Sequence, residues 1–123
     1  MSDKVWLKCG GYLIIEQTEA MCVIDVNSGK NIAKSKKQAD KERAALGVNM
    51  EAAAQVINQI RLRNISGIII IDFINMQEEA SVKELLSYMK GLAKKEHITT
   101  NVVDMTPLGL VEMTRKNNGK TLK

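Results

Sequence analysis

The sequence predicts an α/β single-domain sandwich: a mixed β-sheet, made of an N-terminal hairpin and βαβ-type strands, that carries two main helices. Three observations predict it. Short runs rich in β-branched residues lie at 12–15, 20–26 and 68–71. Two longer segments, 48–63 and 77–95, repeat apolar residues at helical spacing, and they alternate with the strand-like runs. At 123 residues and 45% apolar content, with no internal repeat and no linker, residues 1–123 form one domain with one core.

Each element has a local cause. Tyr12-Leu13-Ile14-Ile15 and the run 20–26 are strands, and Glu16-Gln17-Thr18-Glu19 reads as the hairpin turn between them, although it lacks the Asn-Gly signal. Asn27-Ser28-Gly29-Lys30 ends the second strand with turn residues. Residues 28–43 carry six Lys or Arg against two acids and few large apolar groups, so they read as an exposed loop that turns helical toward its end. From 48 to 63, Met50, Ala53, Val56, Ile57 and Ile60 share one side of a 3.6-residue wheel, while Glu51, Gln55, Asn58 and Gln59 take the other. Ile68-Ile69-Ile70-Ile71 resists helix, and an apolar run without alternation predicts a strand covered on both faces. The helix over 77–95 turns Val82, Leu85, Leu86, Met89 and Leu92 inward. Strands at 98–103 and 108–113 follow, before a basic tail.

Composition removes several classes of function. Aromatic residues are 3% of the chain, one Trp, two Tyr and one Phe, which excludes a domain built as a base-stacking platform. A net charge of +4 is compatible with a polyanionic partner without requiring one. Cys9 and Cys22 are not spaced as CxxC and His97 is the lone histidine, so no zinc cluster is expected; His97 reads as a surface residue and Cys9 as inert. Free thiols and an N-terminus unlike a signal peptide point to a cytoplasmic protein, and no apolar run is long enough to cross a bilayer. Gly10-Gly11 and Gly29 match no phosphate-loop pattern.

Two carboxylates share a local setting. Asp25 lies in Val23-Ile24-Asp25-Val26-Asn27 and Asp72 in Ile70-Ile71-Asp72-Phe73, each just before the chain leaves the sheet. On neighbouring strands they would meet at one sheet edge, where α/β folds collect ligands. Two like charges there repel, and a divalent cation relieves that cost. Magnesium suits the pair because it accepts one or two carboxylates and keeps several waters. Asn27, two residues past Asp25, falls on the same side of an extended strand and can orient a carboxylate. The alternative is that each Asp caps a turn or pairs with a basic side chain. Lys30, Lys34, Lys36, Lys37, Lys41 and Arg43, and in the tail Arg115, Lys116, Lys120 and Lys123, either meet phosphates or are solvated surface charge. Arg61 and Arg63 close a helix, where they reach a phosphate at the sheet edge or complement the helix dipole.

Several blocks together resemble the catalytic core of the ribonuclease E/G family: Val5-Trp6-Leu7-Lys8-Cys9-Gly10-Gly11-Tyr12-Leu13, Glu19-Ala20, Ile24-Asp25-Val26-Asn27-Ser28-Gly29, Asn49-Met50-Glu51-Ala52-Ala53, Gln59-Ile60-Arg61-Leu62-Arg63, Gly67-Ile68-Ile69-Ile70-Ile71-Asp72-Phe73-Ile74 and Leu108-Gly109-Leu110-Val111-Glu112-Met113-Thr114-Arg115-Lys116. They occur in the family's order over nearly the whole chain. The resemblance implies the deoxyribonuclease I-like catalytic subdomain of a single-strand-specific endoribonuclease of RNA processing and decay. It implies that Asp25 and Asp72 hold a catalytic Mg²⁺, with Mn²⁺ as a substitute, and that Asn27 supports them. A metal-activated water would then attack the scissile phosphate in line, leaving 5′-phosphate and 3′-hydroxyl ends. Lys30, Arg61, Arg63, Arg115 and Lys116 are the cations expected to contact RNA.

The resemblance also implies a parent homo-oligomer joined by a zinc link that lies outside this chain, with other subdomains ahead of it. The chain then reads as an excised subdomain, with weak or no activity alone. Asn75 stands where the family usually has a second Asp, Pro107 where a basic residue is common, and Cys9 where Ser is common. The loop after Gly29 is longer and richer in Lys than usual. These departures keep open a second reading, a non-catalytic RNA-binding or assembly module of the same fold.

Overall fold

The computed structural model describes residues 2–29 and 37–117. In chain order the elements are β1 (Ser2–Trp6), β2 (Tyr12–Gln17), β3 (Met21–Asn27), α1 (Gln38–Leu62), β4 (Gly67–Asp72), α2 (Glu79–Lys94), β5 (Thr100–Met105) and β6 (Leu110–Arg115). The strands form one mixed sheet ordered β1-β2-β3-β4-β6-β5. Only β3 and β4 run parallel, joined through α1; the other neighbours are antiparallel. This is the predicted α/β sandwich with its hairpin, mixed sheet and two helices.

Period-two alternation sorts each strand between two environments. Leu13 and Ile15, Cys22, Ile24 and Val26, Ile69 and Ile71, and Val111 and Met113 point toward the helices and are buried. They pack with Val48, Ala52, Ala53, Val56, Ile57 and Ile60 of α1 and with Leu85 and Met89 of α2. Each fully buried aliphatic side chain contributes roughly 1.5–3 kcal/mol, so this layer dominates the stability. Cys22 lies inside it unbridged, and burial pushes its thiol up and out of reactive range.

Three features depart from the sequence reading, the third a strand it did not include. The isoleucine run of β4 is covered on one face, not both: Ile69 and Ile71 are buried, whereas Ile68 is 46% exposed and Ile70 half-buried. Among the described residues both helices pack on the same side, and the open face carries Ile14, Met21, Val23, Ile68 and Ile70. Uniformly β-branched strands satisfy propensity without reporting which face is dry. Secondly, α1 begins at Gln38, ten residues before position 48, so the helical end expected of segment 28–43 is the first part of α1 itself. Its inward stripe continues upstream through Glu42 and Ala45, a polar and a small residue that a search for large apolar groups passes over. Thirdly, β1 pairs with β2 along its whole length, from Ser2 opposite Glu16 to Trp6 opposite Tyr12.

Two side chains of α1 fix the segment that leaves β4. Asn49 is fully buried; its Nδ2 donates to the carbonyl of Ile74 at 2.9 Å and its Oδ1 accepts from the Ile74 amide at 3.0 Å. Two turns earlier, the Glu42 carboxylate accepts from the amides of Gln77 and Glu78 at 2.8 and 2.9 Å, satisfying donors at the start of α2. The exit from the sheet beside Asp72 is therefore clamped to α1.

Candidate metal centre

Asp25 and Asp72 are register partners on the parallel strands β3 and β4. Adjacent strands lie about 4.8 Å apart, so the two carboxylates stand side by side on the open face. Both are exposed, and neither has an ion-pair partner among the described residues. Asn27 follows on the same face, and its Nδ2 donates to Asp25 Oδ2 at 3.4 Å, a long bond that still orients the carboxylate. Ile14 flanks the pair on β2 and Leu110 on β6.

Glycine builds the turn under this pair. A Cβ on Gly11 would stand 2.4 Å from the Asn27 carbonyl oxygen, and one on Gly29 would stand 2.7 Å from the Gly10 carbonyl oxygen. Gly29 also has φ of 71°, in the left-handed region. The β1–β2 turn and the exit of β3 thus touch backbone to backbone, and any side chain at Gly11 would push Asn27 away. Glu51 of α1 holds the same turn from below by accepting from the amides of Lys8 and Cys9.

The donor set limits the ion. Among the described residues no group of three or more His, Cys, Asp or Glu side chains converges, which is unlike a structural zinc or a protein-caged calcium site. Two carboxylates with an amide beside them, open to solvent on one side, fit a magnesium ion that takes its remaining ligands from water and phosphate. Next to Asp72 a cleft of about 100 Å³ is lined by Asn75, Met76, Val82, Met105 and Leu108, placing the departing residue Asn75 at its wall. The Thr106–Gly109 turn, with Pro107, forms the cleft's far side, and Leu108 is 86% exposed there.

The described arginines named from sequence are elsewhere. Lys30 lies outside the described residues, as do Lys34, Lys36, Lys120 and Lys123. Arg61 pairs with Glu96 and Asn58, and Arg63 with Asp3 and Gln59. Arg115 is 4% exposed; its guanidinium donates to the Ile65 carbonyl at 2.9 Å and to Asn64 Oδ1 at 3.2 Å. It stands opposite Gly67, the far end of β4 from Asp72, about 17 Å away along the strand. Arg61, Arg63 and Arg115 are thus gathered at the end of the sheet remote from the carboxylates, each with an acceptor within the chain. They close off the other end of the sheet, because α1 returns the chain there and leaves carbonyls and acids that need donors. Lys116, just beyond β6, is exposed at that same end. In the segment 28–43, Arg43 is engaged by Asp40 at 2.8 Å. Asn49, Glu42 and Glu51 were not identifiable as positioning residues from sequence, since a polar residue on a helix reveals its partner only in three dimensions.

The model of the Ribonuclease E/G family matches residues 1–118. Ribonuclease G of Haemophilus influenzae (strain ATCC 51907 / DSM 11121 / KW20 / Rd) is 42% identical over 123 residues, covering 100% of this chain and 24% of that protein. Ribonuclease G of Escherichia coli (strain K12) is 41% identical over the same span and shares. Ribonuclease E of Synechocystis sp. (strain ATCC 27184 / PCC 6803 / Kazusa) is 41% identical over 122 residues, 99% of this chain and 18% of that protein. The chain thus spans about a quarter of the length of the ribonuclease G relatives or less. No helix among the described residues is long and apolar enough to cross a membrane. On the family match over residues 1–118 and these identities, the chain belongs to the ribonuclease E/G family.

Proposed function

We propose that this domain is the catalytic subdomain of a magnesium-dependent endoribonuclease that cleaves single-stranded RNA to 5′-phosphate and 3′-hydroxyl ends. The observation that carries the reading is the side-by-side placement of Asp25 and Asp72 on an open sheet face with Asn27 bonded to one of them. Asp25 and Asp72 would hold the ion, and Asn27 would fix the Asp25 carboxylate so that little ordering is needed when the ion arrives. When bound, Mg²⁺ supplies Lewis-acid activation of water and neutralises charge at the scissile phosphate. The protein's own contribution is positional. Gly11 and Glu51 hold the β1–β2 turn under Asn27, while Asn49 and Glu42 hold the chain beyond Asp72. An RNA substrate follows from the family, and a cytoplasmic setting in RNA processing and decay goes with this reading.

The test is a titration of the 123-residue chain with Mg²⁺ and Mn²⁺, following backbone amide resonances. Shifts and paramagnetic broadening centred on Asp25, Asn27 and Asp72 are expected, and they vanish in Asp25→Asn and Asp72→Asn. In a polypeptide of the relatives' length the same two variants should abolish cleavage while RNA still binds. Unchanged turnover by either variant refutes the assignment. Broadening confined to the basic segments favours the non-catalytic binding module instead.

A further inference from the structure

Composition excludes a domain-wide aromatic platform, yet two of the chain's four aromatic rings stand together on the open face. Trp6 and Tyr12 are direct partners across β1 and β2, with centroids 5.2 Å apart and planes inclined by 59°. The Lys4 ammonium sits over both, 4.3 Å from the Trp6 ring and 4.2 Å from the Tyr12 ring. Trp6 is still 62% exposed, a large apolar surface left in water. At the edge of β1 it also borders a groove of about 520 Å³ on the helix side of the sheet, lined by Lys8 and by Glu51, Gln55 and Asn58 of α1. Tyr12 is in turn the register partner of Asn27, whose amide bonds to Asp25. One unbroken row therefore leads from the exposed indole through Tyr12 and Asn27 to the carboxylate pair.

Resting on the reading above, we propose that Trp6 and Tyr12 are a stacking site for an unpaired RNA base neighbouring the scissile phosphate, with Lys4 supplying the cation for the adjoining phosphate. Aromatic faces accept any base and so position a strand without reading its sequence. A duplex, whose bases are already stacked, has none to offer, so this site selects single strands. The rings pre-position the Lys4 ammonium by cation–π attraction, and the more negative phosphate draws it across when RNA arrives. The simpler role for Lys4, blunting the edge strand β1 against pairing with other sheets, explains the cation but not the exposed indole.

Trp6 is the chain's single tryptophan, so its emission reports this site alone. The experiment titrates the 123-residue chain, in EDTA, with single-stranded oligouridylate, with the same strand annealed to oligoadenylate, and with inorganic polyphosphate. Only the free single strand should quench Trp6, by roughly half or more, since only it stacks. Trp6→Leu, followed by anisotropy of labelled oligouridylate, should weaken binding about tenfold, with Trp6→Phe recovering most of it. Lys4→Gln should flatten the salt dependence while keeping the quench. Emission unchanged up to millimolar oligouridylate, or an equal response to duplex or polyphosphate, overturns the proposal. Asp25→Asn with Asp72→Asn should leave the quench intact, so loss of the metal response removes only the reading above, and loss of the quench beside an intact Mn²⁺ response removes only this one.

Discussion

The two ends of the sheet carry opposite charge and treat it in opposite ways. At the end where β3 and β4 finish, Asp25 and Asp72 stand exposed side by side without an ion pair among the described residues, which costs stability through repulsion. At the other end Arg61, Arg63 and Arg115 are each tied to a named acceptor, on Glu96, Asp3, Asn64 or the Ile65 backbone. Charge answered within the chain does structural work; charge left unanswered on a rigid frame points to something from outside. The largest expected effect breaks the comparison at its first half: Asp25→Asn or Asp72→Asn should lower Mn²⁺ affinity by more than about a hundredfold, since losing even an outer-shell partner costs up to that much. Stability in metal-free buffer should stay level or rise. A lowered melting temperature there would mean that the pair is structural after all.

The buried member of the other end should behave in reverse. Arg115→Ala strips donors from the Ile65 carbonyl and Asn64, a residue held at a φ of 53° just after α1. Leaving the buried Ile65 carbonyl without this donor under β6 should cost about 2–3 kcal/mol in urea unfolding, with no change in the metal response. A variant as stable as the parent would show that the guanidinium offsets no more than its own desolvation, which its unpartnered buried Nε already raises.

Next comes the clamp between the ends. Asn49→Leu keeps the branching of the side chain but strips both bonds from Ile74, so about 1–3 kcal/mol should be lost, together with the sharpness of the metal response as Asp72 loosens. Glu42→Gln should cost somewhat less, about 1.5 kcal/mol at neutral pH, because a neutral amide still offers one acceptor. It also carries a pH signature. Burial raises the Glu42 carboxyl, but bonds from Gln77, Glu78 and Ser81 outweigh it and hold the group below its ordinary 4.5. The folded value being the lower one, this stabilisation is complete above pH 4.5 and is lost as the pH falls through the folded value. Stability curves of parent and Glu42→Gln should therefore converge on acidification; parallel curves would mean the carboxylate is not what holds α2.

What could be read beforehand follows the same division. The helix stripes of Val56, Ile57 and Ile60 and of Leu85 and Met89, and the β-branched strands, write their burial into local periodicity, so sheet and helices were legible. The setting of Asp25 and Asp72, each near the carboxyl end of a strand, was legible too, though their pairing needed the topology. The first turns of α1 were legible only as a helical end to segment 28–43, because Glu42 and Ala45 bury without being large and apolar. The acceptors of Arg61, Arg63 and Arg115 were not legible, because a cation in sequence looks the same whether an acid awaits it or not. A ring count of four said nothing of two rings meeting.

The smallest effect sharpens the comparison at its surface. Arg63 and Asp3 join the last turn of α1 to β1 at 2.5 Å, but the two side chains are 31% and 54% exposed. Solvent screens such a pair, and Gln59 also accepts from Arg63 at 2.8 Å, so Asp3→Asn should cost about 0.5 kcal/mol or less and fade in molar salt. Its value lies in where it acts, on β1, the strand that carries Lys4 beside it and Trp6 at its other end. If β1 is rigid, Asp3→Asn leaves Trp6 emission unchanged. If the strand frays, the indole should report the change at once, and the row from Trp6 to Asp25 would then be held by its pairing with β2 less firmly than the register requires.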